Sequence, residues 1–258
     1  MMESKLRSPQ KSVLVVDDDE ICRCVTSEVL ENLGLKVDLA ENADQATSLA
    51  KANSYDLILL DFHMPVMNGI DLARHLQDNG AATKDKIFLL TGEEPEIILK
   101  KMHAGSSLRI FHKPLERTEV MAFFSPQESE DPIGAATDHP LKIRGFDMSH
   151  ALSNFLGNES AFFNILREFP AYGAKFISEY STHLKNRNIK ECMRLAHSLK
   201  GSSLMIGATE MNMLAKALES ACHGASDMLR AEEIFEKMEA KILEASESIK
   251  KHLQDHNA

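Results

Sequence analysis

No apolar run in this 258-residue chain reaches the length needed to cross a bilayer. Val13–Val16 is far too short for the apolar region of a signal peptide. Basic charge is also scarce: the formal net charge is −10, with no local basic face, which argues against nucleic acid or an anionic membrane as a partner. Cysteine is sparse. Cys22 and Cys24 lie two apart on a predicted helix, so they point to different sides, and Cys192 and Cys222 stand alone. None of the four belongs to a set at zinc spacing, so reduced thiols and a cytoplasmic protein are expected. Asn158-Glu159-Ser160 matches a glycosylation sequon, which is inert in that compartment. There is no internal repeat and no low-complexity tract outside one short segment.

What is present suffices for two domains, each with its own core. Between residues 11 and 124, short aliphatic runs alternate with helical patterns. The runs are Val13–Val16, Leu35–Leu39, Leu57–Leu60, Ile87–Leu90 and Leu108–Phe111. They read as fully buried parallel strands. Helices are expected near 20–33, 42–52, 70–78, 95–104 and 117–124. Five such units imply an α/β domain with a doubly wound, five-stranded parallel sheet. Residues 125–146 begin with a Pro-, Ser- and acid-rich stretch without periodicity, expected to be a solvated linker with a reach of roughly 25 Å. From 147 to 258 only helical periodicity remains.

In that all-α part, Phe162, Leu166, Phe169, Phe176 and Tyr180 form one stripe, and Cys192, Leu195, Ala196, Leu199, Ser203 and Ile206 another. Leu214, Leu218 and Ala221, then Ile234, Met238, Ile242 and Ile249, continue the pattern. Asn188 with Glu191 resembles a capping box. Gly207 and Gly224 fall where helices should stop. Wide stripes with short connections predict an antiparallel four-helix bundle.

Open parallel sheets bind ligands outside the carboxyl ends of their strands. The polar residues expected there are Asp17 and Asp18 after the first strand, Asp61 after the third, Thr91 after the fourth and Lys113 after the fifth. Crowded carboxylates repel unless a cation lies between them, and Mg²⁺ suits oxygen donors while keeping positions open for phosphoryl oxygens. One carboxylate can then attack phosphorus, with Lys113 and the metal neutralising the transferring group and Thr91 hydrogen-bonding to it. Gly92 leaves room above the site. These residues resemble the receiver domain of bacterial response regulators over residues 11–124. The resemblance implies Asp61 as phosphoacceptor, Asp17 and Asp18 as Mg²⁺ ligands, and the backbone carbonyl of His63 as a further ligand. It gives Thr91 and Lys113 the switch-hydroxyl and phosphate-binding roles. Ile110 stands where the family usually has an aromatic residue, which departs from its usual switch, and the side chains of His63 and Glu93 flank the site.

His197 lies beside its apolar stripe, so it should project from the edge of the bundle and be highly exposed. Arg194, Lys200 and Gly201 share its face. Nearby cations favour a neutral, nucleophilic imidazole and could hold a phosphoryl group. Gly201 costs helix stability, and clearance for a docking partner is a reason for it. His197-Ser198-Leu199-Lys200-Gly201, followed by Leu204 and Gly207-Ala208, is similar to the histidine phosphotransfer (HPt) domain. That resemblance spans 147–258 and implies a phosphohistidine at His197 in a four-helix bundle. Both sites together imply a two-component phosphorelay protein rather than an enzyme with its own small-molecule substrate. The chain lacks the ATP-binding boxes of histidine kinases, so histidine kinases and response-regulator receiver domains are the expected partners. Three other readings stand beside it. Asp17 to Ile21 also fits the Asp-x-Asp pattern of haloacid-dehalogenase-type phosphatases. The helical part could instead be a dimerisation module, or the chain an interaction protein whose sites are not phosphorylated.

Overall fold

The computed structural model describes residues 10–93, 98, 108–124, 143–223 and 228–255. The chain divides into two compact units, Met1–Glu128 and Ser129–Ala258. The first unit runs β1 (Ser12–Val16), α1 (Glu20–Asn32), β2 (Lys36–Ala40), α2 (Ala43–Ala52), β3 (Leu57–Asp61), α3 (Gly69–Asp78), β4 (Ile87–Thr91), β5 (Arg109–His112) and α4 (Arg117–Phe124). The expected helix at 95–104 lies almost wholly outside the described residues, as do most of the linker and Gly224. The five strands are parallel, in the order β2-β1-β3-β4-β5, so strand order reverses beside β1.

Side chains alternate across the sheet. Leu14, Val16, Ile58, Leu60 and Leu89 face one apolar core together with Ala46 of α2 and Leu72 and Leu76 of α3. Val13, Val15, Leu57, Leu59, Phe88 and Leu90 face the other, with Leu30 of α1 and Val120 of α4. Strands β1, β3 and β4 are covered on both faces, which is why they read as unbroken aliphatic runs. The expectation of full burial fails at the edge. β2 is largely half-exposed, with Leu39 39% exposed, because it pairs on one side only.

The second unit holds a short helix, α5 (Met148–Asn154), followed by α6 (Glu159–Lys185), α7 (Ile189–Met205), α8 (Thr209–His223) and α9 (Met228–Asp255). Every residue of the first two stripes is buried, but Leu214 is only half-buried. Two residues of the expected linker, Ile143 and Phe146, are buried as well, and Phe146 packs edge-on against Phe169. The capping box at α7 is half made: Asn188 Oδ1 accepts from Glu191 N at 3.4 Å, while the Glu191 carboxylate pairs with Arg194. Gly207 ends α7 as expected, with φ +73°, and a Cβ there would overlap the Asp147 carbonyl oxygen. Asn158 of the sequon is the N-cap of α6, accepting from Ala161 N at 3.1 Å.

One glycine ties the fold to the carboxyl end of β3. A Cβ at Gly69, the first residue of α3, would overlap the carbonyl oxygen of Asp61 and press on Leu89. Gly69→Ala must therefore move α3 or the end of β3. Chemical denaturation followed by circular dichroism should show a loss of about 1–3 kcal/mol, as for other overpacked positions. A variant as stable as the parent would contradict this packing.

Candidate functional site

The ladder hydrogen bonds continue one residue past the strand ends and fix the backbone of the site. Asp17 N donates to Ala40 O at 3.1 Å, Phe62 N to Leu90 O at 3.2 Å and Lys113 N to Thr91 O at 2.8 Å. Asp17, Asp61, Thr91 and Lys113 thereby converge from four strands. Lys113 Nζ lies 2.6 Å from Asp17 Oδ2 and 2.7 Å from Asp61 Oδ1. Asp17, Asp61 and Thr91 are buried. Asp18 joins them: Asp17, Asp18 and Asp61 each place a carboxylate oxygen within 4.8 Å of the others.

The electrostatics follow from burial. Desolvation raises the carboxyls of Asp17 and Asp61; Lys113 opposes this, and a neighbouring carboxylate adds to it in each case. Desolvation would lower the Lys113 ammonium, but Asp17 and Asp61 hold it well above its ordinary value. One ammonium thus pairs with two of the three clustered carboxylates. The donor set is all hard oxygen, which fits a divalent cation of the Mg²⁺ kind. The third aspartate of the run does a different job. Asp19 caps α1 by accepting from Cys22 N at 2.9 Å, while its own N–H donates to Asp17 Oδ1 at 2.9 Å. Thr91 Oγ1 accepts from Glu93 N at 3.1 Å, and His63 Nε2 meets Glu93 Oε1 at 2.6 Å. The expectation that His63 and Glu93 merely flank the site missed that they pair. Ile110 is half-buried against the sheet core, and a Cβ on Gly92 would meet open space.

In the second unit His197 lies off the apolar stripe as expected, but it is half-buried rather than highly exposed. Its Nδ1 lies 2.6 Å from Glu219 Oε1, and Lys200 Nζ is 2.7 Å from Glu219 Oε2 and 3.3 Å from Nδ1. The purely cationic neighbourhood is therefore corrected. Glu219 comes from α8, and the sequence held no signal for it, since it reads as one more polar residue on a solvated face. Arg194 is engaged one turn back by Glu191 at 2.8 Å. Gly201 lies within α7, four residues after His197. Burial pushes the Glu219 carboxyl up, yet hydrogen bonds and charge from His197 and Lys200 bring it down to about 2.

Comparison with known proteins finds two families along the chain. The model of the response regulator receiver domain fits residues 13–124, and that of the Hpt domain fits residues 164–253. Two-component response regulator 24 of Arabidopsis thaliana is 36% identical over 124 residues, covering 47% of this chain and 84% of that protein. Sensor histidine kinase AruS of Pseudomonas aeruginosa is 27% identical over 221 residues, 83% of this chain but only 21% of that protein. The chain thus spans about a fifth of that relative's length. Among solved structures, Vibrio cholerae chemotaxis protein CheY4 aligns at 25% identity with a TM-score of 0.40, covering 45% of this chain and 98% of that one. The class is that of two-component phosphorelay proteins. Within it, the chain belongs to the receiver family and joins a receiver to an Hpt domain.

The depressed Glu219 carboxyl has a pH signature. Its stabilisation is complete above the ordinary glutamate value of 4.5 and is lost as pH falls toward about 2. Glu219→Gln should lower unfolding free energy near neutral pH by on the order of 2 kcal/mol, a gap that closes across that acid window. Denaturation of both proteins at several pH values measures it. A gap that stays constant down to the acid end would contradict the pairing.

Proposed function

We propose that the chain carries phosphoryl groups on two side chains, Asp61 and His197, taking them from one partner protein and passing them to another. The observation that carries this reading is Lys113 Nζ set between Asp17 and Asp61 at the carboxyl ends of the strands. The reading extends the domain limits to 11–124 for the receiver, 125–146 for the linker and 147–258 for the phosphotransfer domain, with Ile143 and Phe146 of the linker buried and Arg144 and Gly145 exposed. It places the protein in the cytoplasm, in keeping with four free cysteines; among the described residues no helix is long and apolar enough to cross a membrane. The partners are histidine kinases and response-regulator receiver domains, whose chemistry supplies phosphohistidine and receives phosphoryl groups.

At the first site an Asp61 carboxylate oxygen attacks phosphorus. An O–P bond forms as the donor's N–P bond breaks, and its electron pair returns to the donor imidazole. Lys113 neutralises charge on the phosphoryl oxygens. The Thr91 hydroxyl accepts from Glu93 N, so its own proton can be donated to one of those oxygens. A Mg²⁺ held by Asp17, Asp18, Asp61 and the backbone carbonyl of His63 would supply further charge neutralisation. At the second site a ring nitrogen of His197 is the nucleophile, Lys200 supports the group it carries, and Gly201 gives clearance for a partner. Arg194 has the smaller part, being paired with Glu191. The phosphatase reading loses ground because Asp19 is taken up as a helix cap while Asp61 stands in the cluster.

Chemical stability of bound phosphate separates the two sites. The full chain should take up an acyl phosphate from phosphoramidate with Mg²⁺, and EDTA or Asp61→Asn should abolish it. Incubation with a phosphorylated receiver partner should add acid-labile, base-stable phosphate that His197→Gln abolishes. Undiminished acyl phosphate in Asp61→Asn protein would overturn the first assignment. Base-stable phosphate persisting in His197→Gln protein would overturn the second.

A further inference from the structure

The turn of α7 just after His197 is poorly held by its own helix. Gly201 lies inside it, and glycine destabilises a helix interior. Ser202 Oγ donates to the Ser198 carbonyl at 2.9 Å, a back-bond that competes with the helical ladder. In a regular helix the Ser198 and Lys200 carbonyls serve the amides of Ser202 and Leu204. Here both take a second donor, because Asn212 Nδ2 of α8 reaches the Lys200 carbonyl at 2.7 Å. A serine hydroxyl has one proton, and that of Ser202 goes to Ser198. The contact of 2.7 Å between Tyr172 and Ser202 is therefore a donation from the Tyr172 hydroxyl, on α6. Two neighbouring helices thus grip one turn, α8 at Lys200 and α6 at Ser202, with Gly201 between. Ser202 is buried and Asn212 and Tyr172 are half-buried, so water competes little for these bonds.

We propose that Asn212 and Tyr172 are positioning residues for phosphoryl transfer: they clamp the Lys200–Gly201 turn from two helices and so keep the Lys200 ammonium beside the His197 ring. This rests on the reading of His197 as a phosphoryl carrier. Lys200 Nζ lies 3.3 Å from Nδ1 of that ring and 2.7 Å from Glu219 Oε2. An ammonium on a flexible four-carbon stem is placed only as well as the backbone beneath it. Asn212 bonds to the backbone of Lys200 itself, at the root of that stem. Tyr172 steadies the turn on the far side of the glycine, through a hydroxyl that already holds the Ser198 carbonyl, next to His197. With either bond gone, Gly201 lets the turn shift and the charge moves off the phosphoryl oxygens it would neutralise. Asn212 lies 12 residues from its acceptor and Tyr172 lies 30 from Ser202, so tertiary packing, not helix propensity, sets this turn.

The test is a double-mutant cycle in the full chain, with Asp61→Asn throughout so that acyl phosphate does not interfere. Phosphoramidate is the donor, and acid-labile, base-stable phosphate is scored. A donor this small removes any dependence on partner docking. Asn212→Ala should lower the labelling rate roughly 10-fold, and Tyr172→Phe, which deletes only a hydroxyl, should lower it less. In a Lys200→Ala background Asn212→Ala should change nothing further, because it acts through that lysine. Amide hydrogen exchange in Asn212→Ala protein should quicken from Gly201 to Leu204 and match the parent in α6 and α9. Unchanged rates in both Asn212→Ala and Tyr172→Phe overturn the proposal. An equal loss repeated in the Lys200→Ala background, the mark of a merely structural role, overturns it too. So does unchanged exchange at 201–204, a result independent of how fast Lys200→Ala protein is labelled. Base-stable phosphate persisting in His197→Gln protein would instead overturn the carrier reading, while the exchange result still reported the clamp.

Discussion

One half-buried ammonium holds the first site together. Lys113 reaches Asp17 and Asp61 from the far edge strand, and its own nitrogen bridges carboxylates that arrive from β1 and β3. Like charges this close, taken out of water, are tolerable only with a cation among them. The fold meets that demand with a sheet whose strands all end on the same side. An antiparallel sheet would send alternate strand ends to the opposite edge. The aliphatic β1, β3 and β4, covered on both faces, keep these ends from shifting. Gly69 lets α3 start against the carbonyl of Asp61 itself. With Lys113 against three clustered carboxylates, the cluster is short of cationic charge, the condition that favours a divalent cation among hard oxygen donors.

The two stations solve opposite electrostatic problems. Asp61 is an anion made costly by burial, and its environment supplies positive charge. His197 is a base, and its environment supplies a carboxylate 2.6 Å from Nδ1. Lysine serves both sites with different geometry. Lys113, half-buried, contacts Asp17 and Asp61 directly, whereas Lys200, also half-buried, braces Glu219.

Much of this was legible in the sequence because it is written locally. Aliphatic runs mark strands, and a polar residue just after each run marks a strand end, so Asp17, Asp61, Thr91 and Lys113 could be placed on one edge of the sheet. The helical stripes located the bundle, and the position of His197 beside its stripe kept it out of the core. What was not legible depends on partners far apart in sequence. Glu219 meets His197 across 22 residues, and His63 meets Glu93 across 30. No periodicity encodes such meetings. Partial exposure of β2 was hidden because a run of alternating residues does not show which strand lies at the edge. Asn188 and Glu191 have capping-box spacing, but a nearby arginine captured the carboxylate.

The claim that organises the account is that, of three adjacent carboxylates, Asp61 alone is the nucleophile. Borohydride reduces an aspartyl phosphate to homoserine and leaves unphosphorylated aspartate unchanged, so peptide mass mapping after phosphoramidate treatment identifies the acceptor. The account predicts homoserine at position 61, dependent on Mg²⁺, with Asp17 and Asp18 intact. Reduction at Asp17 or Asp18, or phosphate uptake with no reduction at 61, would contradict it.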